Sequence, residues 1–116
     1  MLPENAFTTT RSKESDVYSY GIVLLELITR KTALDPTFSG ETDIARWVRS
    51  SPDIDEIVDP GLAGEMLDSG VREQVVEVVQ VALRCTENDP RKRPTMRGVV
   101  KQLLDVFPQR IPSLKS

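Results

Sequence analysis

A chain of 116 residues with a net charge of −3, one cysteine and no histidine excludes a good deal of chemistry. Without histidine there is no Ser–His or Cys–His pair and none of the commonest zinc sites, and one cysteine makes no internal disulfide. The acidic balance argues against a nucleic-acid binder, which needs a basic face, whereas 39% hydrophobic and 28% charged residues describe a globular chain.

The opening MLPENAFTTT has neither the basic start nor the apolar centre of a signal peptide. Met1 to Lys13 reads as loop. The stretch ESDVYSYGIVLLELI, Glu14 to Ile28, then sets the main problem. It reads as a helix from about Asp16 to Arg30, capped by Ser15 or Asp16, with Arg30 and Lys31 near the negative end of its dipole. Gly21 to Leu25 carry no polar side chain, so the helix is apolar nearly all round, and such a helix belongs in the centre of a fold. The run after Tyr20 is too short for a bilayer, which takes about 20 residues, and Glu26 interrupts it. The expectation is a soluble, cytoplasmic chain without direct membrane contact.

Asp35, Pro36, Ser39 and Gly40 make a turn-rich break. Thr42 or Asp43 can cap a short second helix through Ile44, Ala45, Trp47 and Val48. A polar segment with Pro52 and Pro60 follows, enclosing the small apolar cluster IDEIVDP. From about Gly70, Val71, Val75, Val78, Val79, Ala82 and Leu83 recur at three- and four-residue spacings, which predicts a helix ending near Cys85. Cys85 is expected to be a small buried residue. After the turn ENDPRKRP, Thr95 can cap a last helix carrying Met96, Val99, Val100, Leu103, Leu104 and Phe107, stopped by Pro108. No segment alternates as a strand would. The fold class is all-α.

Three segments carry a family resemblance: LPEN at 2–5, SDVYSYGIVLLELIT at 15–29 and RCTENDPRKRPTM at 84–96. They resemble, in this order, the end of the activation segment, the buried central helix and a later arginine-bearing loop of a protein-kinase large lobe. With ETDIARWVRS and IVDPGL, the sequence is similar to plant leucine-rich-repeat receptor-like kinases, especially the subgroup that perceives endogenous danger peptides. The resemblance implies the second half of the large (C-terminal) lobe: the central apolar helix and about three further helices. It implies a partial kinase domain over 1–107 and a flexible tail over 108–116. Pro3, Glu4, Asp16, Gly21 and Arg93 fall on structural positions of the family. Glu4 and Arg93 are expected to pair, and Asp16 corresponds to a residue that supports the catalytic loop. Where the family reads Ala before Pro-Glu, this chain has Leu2.

Phosphoryl transfer in the family needs a glycine-rich loop, a strand lysine, a catalytic aspartate with its asparagine, and a metal-binding aspartate. These 116 residues contain no glycine-rich loop of that kind and, lacking histidine, no His-Arg-Asp triplet. The resemblance therefore implies ATP and Mg for a parent kinase acting on Ser or Thr at the cytoplasmic face of a plasma membrane. For this chain it implies no catalytic residue, no cofactor and no activity alone. The expected partner is the missing part of the kinase domain, or another signalling protein. A standalone helical interaction module is the alternative, and a chance match to a four-helix bundle a third reading.

Simpler readings stand beside the functional ones. Asp16 is a plausible N-cap, Trp47 a core anchor, and Tyr18 and Tyr20 packing residues. Thr8 to Thr10, Ser12 and Ser15 lie near Arg11 and Lys13 and are open to phosphorylation, but hydroxyl-rich loops are common. Arg91, Lys92 and Arg93 read as a solvated basic turn.

Overall fold

The computed structural model describes residues 12–32, 35–38, 43–51 and 53–107. Among these residues every regular element is helical: α1 (Lys13–Thr29), α2 (Ile44–Ser50), α3 (Pro60–Glu65), α4 (Ser69–Cys85) and α5 (Met96–Val106). Single 3₁₀ turns lie at Pro36–Phe38, Ile54–Glu56 and Pro90–Lys92. The all-α expectation holds.

The first helix starts three residues earlier than its apolar pattern suggests. Ser12 is extended, and its hydroxyl accepts a hydrogen bond from the Ser15 backbone N–H at 3.0 Å. That makes Ser12 the cap, in place of Ser15 or Asp16, and leaves Glu14 and Asp16 in the first turn, where carboxylates oppose the dipole favourably. At the other end Arg30 adopts φ 64°, and its N–H donates to the Glu26 carbonyl at 2.7 Å. Arg30 is thus the C-cap and lies outside the last turn.

Short acceptor side chains set the other starts. Asp43 caps α2 by accepting from Arg46 N–H at 2.7 Å, and Thr95 caps α5 by accepting from Gly98 N–H at 3.0 Å. Asp68 accepts from Gly70 and Val71 at the start of α4. The helix α3 corrects the reading of that region as a polar connection. Pro60 opens α3 at its first position, where a missing N–H costs nothing.

Helix α4 is the common wall of the fold. Val75, Val79 and Ala82 join Leu25 and Ile28 of α1, Ile44, Ala45 and Val48 of α2, and Ile57, Val58 and Met66. Its other side places Val81 and Cys85 against Val17 of α1 and Val99 of α5. Cys85 is fully buried, as expected. Trp47 packs at the edge of the larger cluster, with the Phe38 ring 5.4 Å away and Lys31 Nζ 5.6 Å from its centroid.

The expectation of a central helix is met on one side. Val17, Gly21, Leu25 and Ile28 are buried, while Val23 and Leu27 are 46% and 67% exposed. Among the described residues, nothing covers that second flank of α1.

Candidate functional site: the junction around Arg93

The start of α1, the Pro90–Lys92 turn and the start of α5 meet at Arg93. Its Nε donates to the Glu87 carbonyl at 2.7 Å, Nη1 to the Glu14 carbonyl at 3.0 Å, and Nη2 to the Asn88 carbonyl at 3.4 Å. The guanidinium carbon also lies 4.9 Å from the centroid of the Tyr18 ring. One planar cation therefore ties residues far apart in sequence, which the fixed fork of arginine does better than a lysine ammonium. Tyr18 packs beneath it, as a packing residue should.

Beside Arg93 lies a cleft of about 190 Å³, lined among others by Lys13, Glu14, Asp16 and Thr95. Asp16 is thus brought to the same junction as Arg93. Pro3 and Glu4 lie outside the described residues, and so does the expected Glu4–Arg93 pair. The basic triplet does not act as one patch. Arg93 turns inward, whereas Arg91 pairs with Asp89 at 3.0 Å and holds that carboxyl below its ordinary pKa.

Gly21 sits where α1 and α4 touch. A Cβ there would lie 2.7 Å from Cys85 Cβ and 2.9 Å from the Ala82 carbonyl oxygen. Such distances leave glycine as the one residue that fits without movement. Burial pushes the Cys85 thiol above its ordinary pKa, so it is a poor nucleophile.

Arg49 escaped sequence reasoning. From the last turn of α2 it donates to the Leu83 carbonyl and reaches the carbonyl and hydroxyl of Thr86 at 3.4 Å. It thereby adds a cationic donor at the end of α4, where the Leu83 carbonyl also accepts from the Thr86 N–H at 3.2 Å. No local pattern marks an arginine for this task, because its partners lie more than 30 positions away.

Whether these residues suit MgATP can be judged from their donors. Among the described residues, no three His, Cys, Asp or Glu side chains are grouped so as to hold a metal ion. The Arg93 cleft offers Lys13, but its carboxylates Glu14 and Asp16 oppose a polyphosphate. The Arg93 cleft does not fit MgATP, and no chemical step is assigned to it.

The junction and helical order define a class. The family model "Protein tyrosine and serine/threonine kinase" matches residues 1–103, and the chain belongs to that family. More narrowly, it is similar to plant receptor-like kinases. It is 65% identical over 107 residues to a receptor-like protein kinase of Ipomoea nil, covering 89% of this chain and 10% of that protein. It is 56% and 54% identical to the leucine-rich repeat receptor-like protein kinases PEPR1 and PEPR2 of Arabidopsis thaliana, each match covering 91% of this chain and 10% of the relative. The chain thus spans about a tenth of the length of these relatives and corresponds to part of a receptor-like kinase domain.

Proposed function

We propose that this chain is the helical base of a receptor-like serine/threonine kinase, a platform on which the catalytic half of the large lobe rests. The observation that carries this reading is the asymmetry of α1. One flank is sealed against α4 at Gly21, while Val23 and Leu27 of the same helix stand exposed. A helix of this composition is stable when both flanks are covered, so the partner is the remaining part of a kinase domain. In that assembly, residues 1–107 complete the domain and residues 108–116 form its tail. In this reading Asp16, in the first turn of α1, supports a catalytic loop that belongs to the partner segment. The parent uses ATP and Mg to phosphorylate Ser or Thr on proteins, on the cytoplasmic side of a plasma membrane; among the described residues no helix is long and apolar enough to cross one. The chain alone transfers no phosphate.

The same exposed flank also favours a second reading, a module that competes with intact kinases for their partners. Co-expression with the preceding part of a closely similar kinase domain distinguishes the two. Stable association, lost when Leu27 is changed to Asp, is expected. If the halves stay apart although both are folded, the platform reading fails.

A further inference from the structure

Two depressions meet where α5 ends against α4. Gln74 stands between them, and its side-chain amide donates to the Val106 carbonyl at 3.4 Å. On one side lies an apolar groove of about 280 Å³, walled by Ile28, Leu62, Val71, Val75, Val78 and Phe107. On the other lies a larger cleft of about 520 Å³ that carries the carboxylates of Glu73, Glu77 and Asp105. Among the described residues its one cation is Arg84, which donates to the Gln102 side-chain oxygen at 3.0 Å. None of the three carboxylates forms an ion pair among the described residues. The groove is not the flank of α1 that bears Val23 and Leu27. Ile28 belongs to the sealed side of that helix, about 100° round from exposed Leu27.

The residues that follow Phe107 suit both depressions. Residues 108–116 read PQRIPSLKS, with two cations, Arg110 and Lys115, and no acidic side chain. Pro108 and Pro112 do not continue a helix and favour polyproline geometry, with three residues to the turn. In that geometry Pro108, Ile111 and Leu114 share one edge, and Arg110 lies on another. Ile111 and Leu114 would then stand about 9 Å apart, while Val71 to Val78 of α4 spans about 10 Å. The segment needs no linker to reach the groove, because Phe107 is part of the wall.

We propose that residues 108–116 fold back across α4 as an extended arm. Ile111 and Leu114 fill the apolar groove, and Arg110 meets the carboxylates of the neighbouring cleft. Apolar burial supplies the affinity, and the opposite charges fix the direction in which the arm runs. A second copy or another protein is a weaker candidate for the same groove. The arm is tied to Phe107, so its docking is intramolecular, and a short tether gives an effective concentration in the millimolar range. The proposal replaces the expectation of a flexible tail. It does not depend on the receptor reading, because groove, cleft and arm all belong to this chain.

The test is nuclear magnetic resonance on the 116-residue chain, alone and joined to the preceding kinase-domain residues of a closely similar receptor-like kinase. Cross-relaxation between the methyls of Ile111 or Leu114 and those of Val71, Val75 or Val78 is expected in both. Ile111→Ser with Leu114→Ser should abolish these contacts. The same variant should speed trypsin cleavage after Arg110 roughly tenfold or more, since cleavage follows the population of the undocked arm. Glu73→Gln with Glu77→Gln should speed it about two- to fivefold. Leu67→Ser, at a residue 91% exposed outside the groove, should change neither readout. Circular dichroism confirms that each variant keeps its helices, and the longer protein gives both readouts even where the short chain associates. Absence of the methyl contacts, contacts made only between copies, or cleavage insensitive to the serine variant would overturn the proposal. So would loss of the contacts in the longer protein, since the groove then belongs to the catalytic half.

Discussion

Gly21 and Cys85 lie so close that a Cβ added to the glycine would stand 2.7 Å from the cysteine Cβ. The two longest described helices, α1 and α4, therefore meet nearly backbone to backbone, and everything built on α1 inherits its position from that contact.

Gly21→Ala is expected to destabilise the protein even though alanine is the better helix former by about 1 kcal/mol. Overpacking costs about 1–3 kcal/mol, and one crowding neighbour, the Ala82 carbonyl, is backbone and cannot swing aside. A lower urea midpoint is the expected result. Gly64→Ala is the matched control, because its Cβ would meet nothing within 4 Å. It should leave the midpoint unchanged or raise it.

Arg93→Lys should cost about 2–3 kcal/mol, since hydrogen bonds from charged groups are worth about 1.5–3 kcal/mol each and an ammonium cannot reach three carbonyls at once. Arg97→Lys, on the exposed side of α5, should change stability by less than about 0.5 kcal/mol. Equal losses in the two variants, read from chemical denaturation, would mean that the Arg93 bonds do not hold the junction.

Arg30 is the one described non-glycine residue with positive φ, at 64°. An L-residue in that region carries a penalty of about 1–2 kcal/mol. Arg30→Gly relieves it at the cost of greater freedom in the unfolded chain. A rise in melting temperature of a few degrees is expected, and a fall would show that the Arg30 side chain contributes more than its backbone costs.

The Cys85 thiol is pushed above its ordinary pKa by burial. The folded state therefore holds the proton more firmly than the unfolded state does. The associated stability is fully present below the unfolded thiol pKa and is lost as pH rises through the folded value. Between neutral pH and about pH 10 the native protein should lose more stability than Cys85→Ala, in which this titration is absent. Iodoacetamide should modify Cys85 no faster than the protein unfolds.

Much of this fold was legible because its helix starts use residues with one obvious job. Asp43 and Thr95 stand directly before apolar periodicity, and both cap as expected. Ser12 was harder to see, since Ser15 and Asp16 are equally good acceptors and only the three-dimensional path of the backbone selects among them. Helix α3 escaped because Leu62 and Ala63 are too few to display a period and Pro60 reads equally as a turn. The valine spacing of α4 showed one face, yet Val81 and Cys85 bury a second one against α5. Periodicity finds a stripe; it does not count the neighbours on either side of a helix. At the site, family resemblance singled out Arg93 for a pair with Glu4, which lies outside the described residues, whereas its bonds to the Glu14, Glu87 and Asn88 carbonyls were not foreseen. Arg49 was not legible at all, because its acceptors are distant backbone carbonyls that no side-chain pattern encodes.

The most direct test of the account is titration of the 116-residue chain with MgATP in a calorimeter, paired with a phosphate-transfer assay on a Ser/Thr protein substrate. The same measurements are made on the chain joined to the preceding kinase-domain residues of a closely similar receptor-like kinase. The account predicts neither binding nor transfer by the chain alone, and both by the longer protein. Saturable MgATP binding or transfer by the 116 residues alone would contradict it.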